Sequence, residues 1–262
     1  MASPDERTIK LVVAYDGTRY HGFQRQRSGL VTVQSELERA ISEACGERVA
    51  VAGAGRTDAG VHALGQVVSF RTKCGVPPDR WPQALASRLP PDIMVISSEE
   101  VPKTFHARFS AKAKTYRYMV LAGPADSPML TPYVARERES LDVEAIRRGA
   151  AHLVGRHDFS SFWAAGSPRS SPVRTVEALT AEAVEPRLFL PPGHRSELVI
   201  FTVTADGFLY KMVRNFVGTL LEVGQGRIEP DDVKRILESR NRAKAAPTAP
   251  PRGLCLVEVR YS

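Results

Sequence analysis

Apolar side chains at every second position from Ile9 to Tyr15 (Ile9, Leu11, Val13, Tyr15) predict a β-strand with at least one buried face. The spacing then becomes helical. Val33, Leu37, Ala40, Ile41 and Ala44 share one side of a helix that Thr32 caps and Gly46 ends. Val67 and Ser69 alternating with Val68 and Phe70 predict a second strand. Asp79 caps a second helix carrying Trp81, Leu85 and Leu89, stopped by Pro90-Pro91, and residues 93–96 predict a third strand. The order so far is strand, helix, strand, helix, strand.

A basic, aromatic stretch, Phe105 to Lys114, bridges to a strand over residues 115–121. Beyond a Pro/Gly-rich loop at 122–140, Asp142 starts a helix with Val143, Ile146, Ala150 and Leu153 inward, closed by Gly155. Strands at 173–184 and 197–205 flank a Pro-Pro-Gly loop at 186–196. From about Leu209 to Val223, apolar residues cover most of a helix, leaving Lys211, Arg214, Asn215, Gly218 and Glu222 as a narrow polar stripe. Gly218, one turn beyond Arg214, leaves room there for another backbone or a ligand. A short helix at 231–237, a basic Ala/Pro-rich loop at 239–252 and a strand at 254–261 complete the chain. Asp206-Gly207-Phe208-Leu209-Tyr210 echoes Asp16-Gly17-Thr18-Arg19-Tyr20, a weak sign of duplication. These patterns predict an α/β (α+β) protein of two related halves, residues 1–110 and 111–262. Alone, they also allow a doubly wound sheet.

Composition narrows the partner. The 262 residues are 43% hydrophobic and 25% charged, as in ordinary globular proteins, and carry a net charge of +7, which favours a polyanionic partner such as nucleic acid. No apolar run is long enough to span a bilayer, and the first seven residues do not read as a signal peptide. Cys45, Cys74 and Cys255 lie far apart, in no zinc-ligand spacing, so reduced thiols in the cytoplasm are expected.

The candidate chemistry lies at Ala54-Gly-Arg-Thr-Asp-Ala-Gly-Val-His62. Asp58 sits between Gly55 and Gly60, with Arg56 two residues before it and His62 four after, on a shaped loop leading into a strand. A lone Asp-x-Gly is usually a turn former. Here the whole stretch closely resembles the catalytic loop of the TruA family of tRNA pseudouridine synthases. The resemblance extends in order through Tyr15-Asp16-Gly17-Thr18, Thr32-Val33-Gln34, Phe105-His106-Ala107-Arg108, Lys114-Thr115-Tyr116-Arg117-Tyr118, His157-Asp158-Phe159, Phe208 to Asn215 and Gly253-Leu254. Phe23 stands where the family more often has Trp, and the 186–196 loop looks longer than usual.

The resemblance implies isomerisation of uridine to pseudouridine at positions 38–40 of the tRNA anticodon arm. It also implies RRM-like halves with a central, mainly antiparallel sheet flanked by helices, a cleft between the halves, and a homodimer. The reaction breaks N1–C1′, turns the uracil and joins C5 to C1′. No atoms enter or leave, so no cofactor or metal is expected. Asp58 is then the catalytic carboxylate, with attack at C1′, attack at C6 and proton removal at C2′ all open to it. Tyr116 would stack on the uracil and take part in removing the C5 proton, although a tyrosine in a sheet is more often core. Arg214 would pair with Asp58 and keep it ionised; otherwise it is a snorkelling surface arginine. Arg56 would hold or extrude the target nucleotide. Leu254, Arg25, Lys112 and Lys114 complete the substrate-binding set, and Arg27 and the 239–252 loop would add phosphate contacts. His62 and His157 are read as structural or RNA-contacting, and Asp16 and Asp206 as turn formers. Two rivals remain: a non-catalytic RNA-binding protein on the same fold, and a glycosidase, which would need a second carboxylate that no motif supplies.

Overall fold

The computed structural model describes residues 6–26, 29–166, 171–186, 189–190 and 192–262. Arg27 lies outside them. The chain forms two compact units, one of residues 1–112 and 255–262, the other of residues 113–254. The last strand, grouped from sequence with the second half, therefore belongs to the first unit.

In the first unit, β1 (Arg7–Tyr15) lies between β4 (Ile93–Val101) and β3 (His62–Thr72), antiparallel to both. A two-residue strand β2 (Ala52–Gly53), not predicted from sequence, pairs antiparallel with β3. Strand β10 (Leu254–Arg260) runs parallel to β3, with Cys255 opposite His62. The inward residues of β1 are the predicted Ile9, Leu11, Val13 and Tyr15. Helix α1 (Val33–Cys45) starts at Thr32, which accepts from the Ser35 amide in a capping box, and ends at Gly46, which takes the left-handed terminal conformation, φ 68°. Trp81 of α2 (Trp81–Ala86) meets Phe70 edge-on at 5.0 Å. Asp79 does not cap α2. It sits inside a preceding 3-10 turn, Pro78–Arg80, and Leu89 lies beyond the helix end.

The second unit orders its strands β6-β5-β9-β8-β7: β6 (Ala135–Glu137), β5 (Ala113–Ala122), β9 (Glu197–Ala205), β8 (Val173–Val184) and β7 (Gly155–Asp158). Among the described residues of this unit, β5 and β6 pair parallel, while β5–β9, β8–β9 and β7–β8 are antiparallel. Strand β6 occupies part of the stretch read as loop from its Pro/Gly content. Its Ala135 is buried, and β6 is too short to show a period. The helices are α3 (Val143–Ala151), capped by Asp142 as predicted, α4 (Met212–Gly224) and α5 (Asp232–Glu238). Phe216 of α4 packs on Phe162 at 4.9 Å and Phe159 at 5.3 Å. Each such buried aromatic contributes about 1.5–3 kcal/mol from surface removed from water.

The start of α4 differs from its periodicity. Lys211 adopts a left-handed backbone, φ 59°, so the helix begins at Met212 and not near Leu209. That conformation costs a non-glycine residue about 1–2 kcal/mol. It places Arg214 and Asn215 in the first turn, with the Asn215 amide donating to the Lys211 carbonyl at 2.9 Å.

Candidate active site

In the first unit, the loop from Ala54 to Val61 is held from below by a buried polar network that apolar periodicity gave no sign of. The Tyr15 hydroxyl meets Thr57 Oγ1 at 2.8 Å, and Gln66 Nε2 donates to the Gly55 carbonyl at 2.9 Å and toward the Tyr15 oxygen at 3.4 Å. The Gly55 amide donates back to Gln66 Oε1 at 3.3 Å. Gln66 is fully buried. A buried amide left unpaired costs about 1–3 kcal/mol, so these bonds fix the loop in one shape. Burial drives the Tyr15 phenol far above its ordinary pKa and keeps it a neutral hydroxyl.

Two backbone approaches hold the loop from above. A side chain at Gly17 would place its Cβ 2.0 Å from the Val61 carbonyl oxygen. At Gly22, φ 89°, the Cβ would lie 2.8 Å from the Thr57 carbonyl oxygen. The Phe23 amide donates to that same oxygen at 3.0 Å. Phe23 packs where Gly53 lacks a side chain, and its ring would collide with a Cβ there at 2.3 Å.

Within this frame the Val61 amide closes a turn onto the Asp58 carbonyl at 3.2 Å, and Gly60 has φ 75°. Asp58 is half-buried and Arg56 exposed, so one turn presents an acid and a cation. His62 is buried at the start of β3. Its Nδ1 accepts from the Gly17 amide at 3.1 Å and lies 3.2 Å from Asp16 Oδ1, tying this turn to the Tyr15–Thr18 turn. Asp16 also accepts from the Thr18 amide at 2.9 Å, which is the expected turn-forming use.

The second unit carries Tyr116, Arg214, Leu254 and Lys114. Tyr116 is buried on β5 opposite Val203, with its ring edge-on to Phe208 at 5.0 Å. Arg214 is 9% exposed. Its Nε donates to the Ala249 carbonyl at 2.8 Å while the Ala249 amide donates to the Arg214 carbonyl at 3.1 Å. Its positive charge also offsets part of the rise that burial gives the Tyr118 pKa. Gly218 has the use its position predicted, since a Cβ there would meet the Pro247 carbonyl oxygen at 2.0 Å. Asn215, fully buried, donates to the Phe162 carbonyl at 2.7 Å and accepts from Thr248 Oγ1 at 2.6 Å and Arg242 Nη2 at 3.0 Å. Glu222 is engaged by Arg227, whose Nη2 lies 3.0 Å away. The polar stripe of α4 thus grips the 242–249 segment.

The other basic residues divide. Arg25 is exposed but paired with Glu38 at 3.2 Å, and Lys112 is exposed while its amide donates to the Arg260 carbonyl at 2.8 Å. Lys114 is half-buried at the start of β5, opposite Ala205. Of the 239–252 loop, Arg242 is bound internally and Arg252 Nε donates to the Val134 carbonyl at 2.8 Å, whereas Lys244 is exposed. Leu254 is buried at the start of β10.

Residues 11–110 and 150–262 match the tRNA pseudouridine synthase family model. The chain is 45% identical over 255 residues to the tRNA pseudouridine synthase A of Acetivibrio thermocellus, covering 97% of this chain and 100% of that one. It is 46% identical over 254 residues to the protein of the same name from Moorella thermoacetica, covering 97% and 99%. No helix among the described residues is long and apolar enough to cross a membrane.

Proposed function

This chain belongs to the tRNA pseudouridine synthase family and is an isomerase, and from that premise we propose that it converts uridine to pseudouridine at positions 38–40 of the tRNA anticodon arm. The observation that carries the reading is the Asp58 turn, an acid and a cation displayed together on a loop locked from both sides. In this reading Asp58 is the catalytic carboxylate, ready for covalent or electrostatic work at the sugar or base. Arg56, exposed beside it, holds the target nucleotide once it has left the stem. Tyr116 supplies a face for the uracil, and Arg214 is the third catalytic residue. Leu254, Arg25, Lys112 and Lys114 add substrate contacts. The protein works as a cytoplasmic homodimer. Incubation with unmodified tRNA and no added cofactor, followed by pseudouridine mapping, tests it. Label at positions 38–40 is expected, and an unchanged tRNA would refute it.

Two further results are expected. Gly17→Ala forces the Tyr15–Thr18 turn off the Val61 carbonyl and shifts the Asp58 turn with it. A displacement of about 1 Å costs on the order of 100-fold in rate. kcat should therefore fall by about that factor while tRNA affinity and circular dichroism stay near those of the parent. The charge on Arg25, Lys112 and Lys244 should make tRNA binding fall steeply with salt, the log–log slope steepening by about 0.7–0.9 for each phosphate neutralised. A titration of Kd against salt concentration reads this directly. Because Arg242 is bound internally, replacing Lys244 should flatten the slope more than replacing Arg242.

A further inference from the structure

The turn that carries Phe109 displays side chains that the fold leaves in solvent. Phe109 is 76% exposed, the most exposed large apolar side chain among the described residues. It is not on a frayed segment. His106 Nδ1 accepts from the amides of Arg108 at 3.1 Å and Phe109 at 3.4 Å. The His106 amide donates to Ser110 Oγ at 3.1 Å, and the Ser110 amide returns to the His106 carbonyl at 2.9 Å. At its middle, Ala107 is fully buried, its amide donating to Ser69 Oγ at 3.1 Å and its carbonyl accepting from the Tyr261 hydroxyl at 2.7 Å. The turn is thus pinned to the first unit at one point while its flank stands in solvent.

What that flank displays is specific. The His106 ring lies against the Phe109 ring at 4.4 Å, tilted 36°, and the Arg108 guanidinium carbon sits over the Phe109 ring, 5.5 Å from its centre. One flat aromatic with an imidazole beside it and a cation near it is too small an apolar patch for a protein interface, which needs a broad one. It does match the chemistry of an unpaired nucleotide, whose base has a π-face and whose phosphate is an anion.

We propose that the His106–Ser110 turn is a preformed platform on which an unpaired base of the substrate tRNA stacks against Phe109, with Arg108 meeting the adjoining phosphate. This rests on the tRNA reading above. Because the hydrogen bonds hold the backbone of the turn and the His106 ring lies against the Phe109 ring, little freedom is lost on binding, so Phe109 contributes directly to affinity.

The test uses the full chain in an Asp58→Asn background, so that bound tRNA is not turned over. Adding Phe109→Ala should raise the Kd for unmodified tRNA by about 5- to 150-fold, the range measured per stacked base. Phe109→Trp should hold the parent affinity, and its emission, corrected for the parent's Trp81 and Trp163, should be quenched as tRNA binds. A Phe109→Ala Kd within about twofold of the parent overturns the platform. So does an unchanged tryptophan emission, even if affinity falls, because contact without stacking is a different role. If the parent itself bound no tRNA, the functional reading would fail and this inference with it. A parent that binds beside variants that do not differ refutes the platform alone.

Discussion

Asp58→Asn should bind tRNA with an affinity within about tenfold of the parent, or about 1.4 kcal/mol, and should form no pseudouridine. The two properties separate because the loop is built mostly from groups other than the Asp58 carboxylate. Its shape comes from Tyr15, Thr57, Gln66 and the close approaches at Gly17 and Gly22. Asn has the same size as Asp and keeps a carbonyl oxygen, so the frame should survive. It loses the negative charge and the nucleophilic oxygen that the isomerisation needs, whichever of the sugar and base atoms the carboxylate engages. Single-turnover assays with radiolabelled tRNA read the chemistry, and filter binding reads the affinity. Turnover by a variant purified free of host enzyme would remove Asp58 from the catalytic role. A loss of binding equal to the loss of rate would move the residue from chemistry to recognition.

The second large effect concerns Arg214. A guanidinium does not escape burial by losing its proton, so one that is 9% exposed needs strong acceptors. The Ala249 carbonyl is one, and a bond from a charged donor of this kind contributes about 1.5–3 kcal/mol. Glu222, the acid two turns further along the same helix, is engaged by Arg227. In the roles proposed above Asp58 and Arg214 serve the same chemistry, so the two are expected to be energetically coupled. Arg214→Gln should destabilise the fold by about 1.5–3 kcal/mol, because the charged bond to the Ala249 carbonyl is lost. It should also depress activity in whatever fraction still folds. Urea unfolding of Arg214→Gln, Asp58→Asn and the double variant gives the coupling directly. An interaction of about 1 kcal/mol or more is expected of two groups so coupled. Strict additivity would show that Arg214 serves the 249 segment and not the acid.

Much of the architecture was readable because its causes are local. Alternation marked β1 and part of β3; Thr32, Gly46 and Asp142 marked helix ends through hydrogen bonds to backbone groups a few residues away. The missing side chain of Gly218 marked a close approach before its partner, the Pro247 carbonyl, was known. The elements missed were those without a period of their own. Strands β2 and β6 are two and three residues long and exist because a neighbouring strand offers them a ladder. The early α4 boundary at Leu209 failed because apolar spacing says nothing about the backbone dihedral of Lys211.

The candidate site divides along the same line. Asp58, Arg56, Tyr116 and Arg214 were singled out in the sequence, because residue type and the order of the motifs resemble a known family. The means of holding them were not legible there. Tyr15, Thr57 and Gln66 are far apart in the chain, and only folding closes their hydrogen bonds into the floor of the Asp58 loop. Likewise the basic loop at 239–252 looked from its composition like a set of phosphate ligands. Tertiary structure turned Arg242 inward, onto Asn215 and Thr248, and tied the Nε of the exposed Arg252 to the Val134 carbonyl. The sequence by itself determined which chemical groups this protein has and the local elements that carry them. Tertiary structure decided which of those groups are consumed in holding the chain together and which remain for RNA, because a buried polar atom takes whatever partner lies within reach, however distant in sequence.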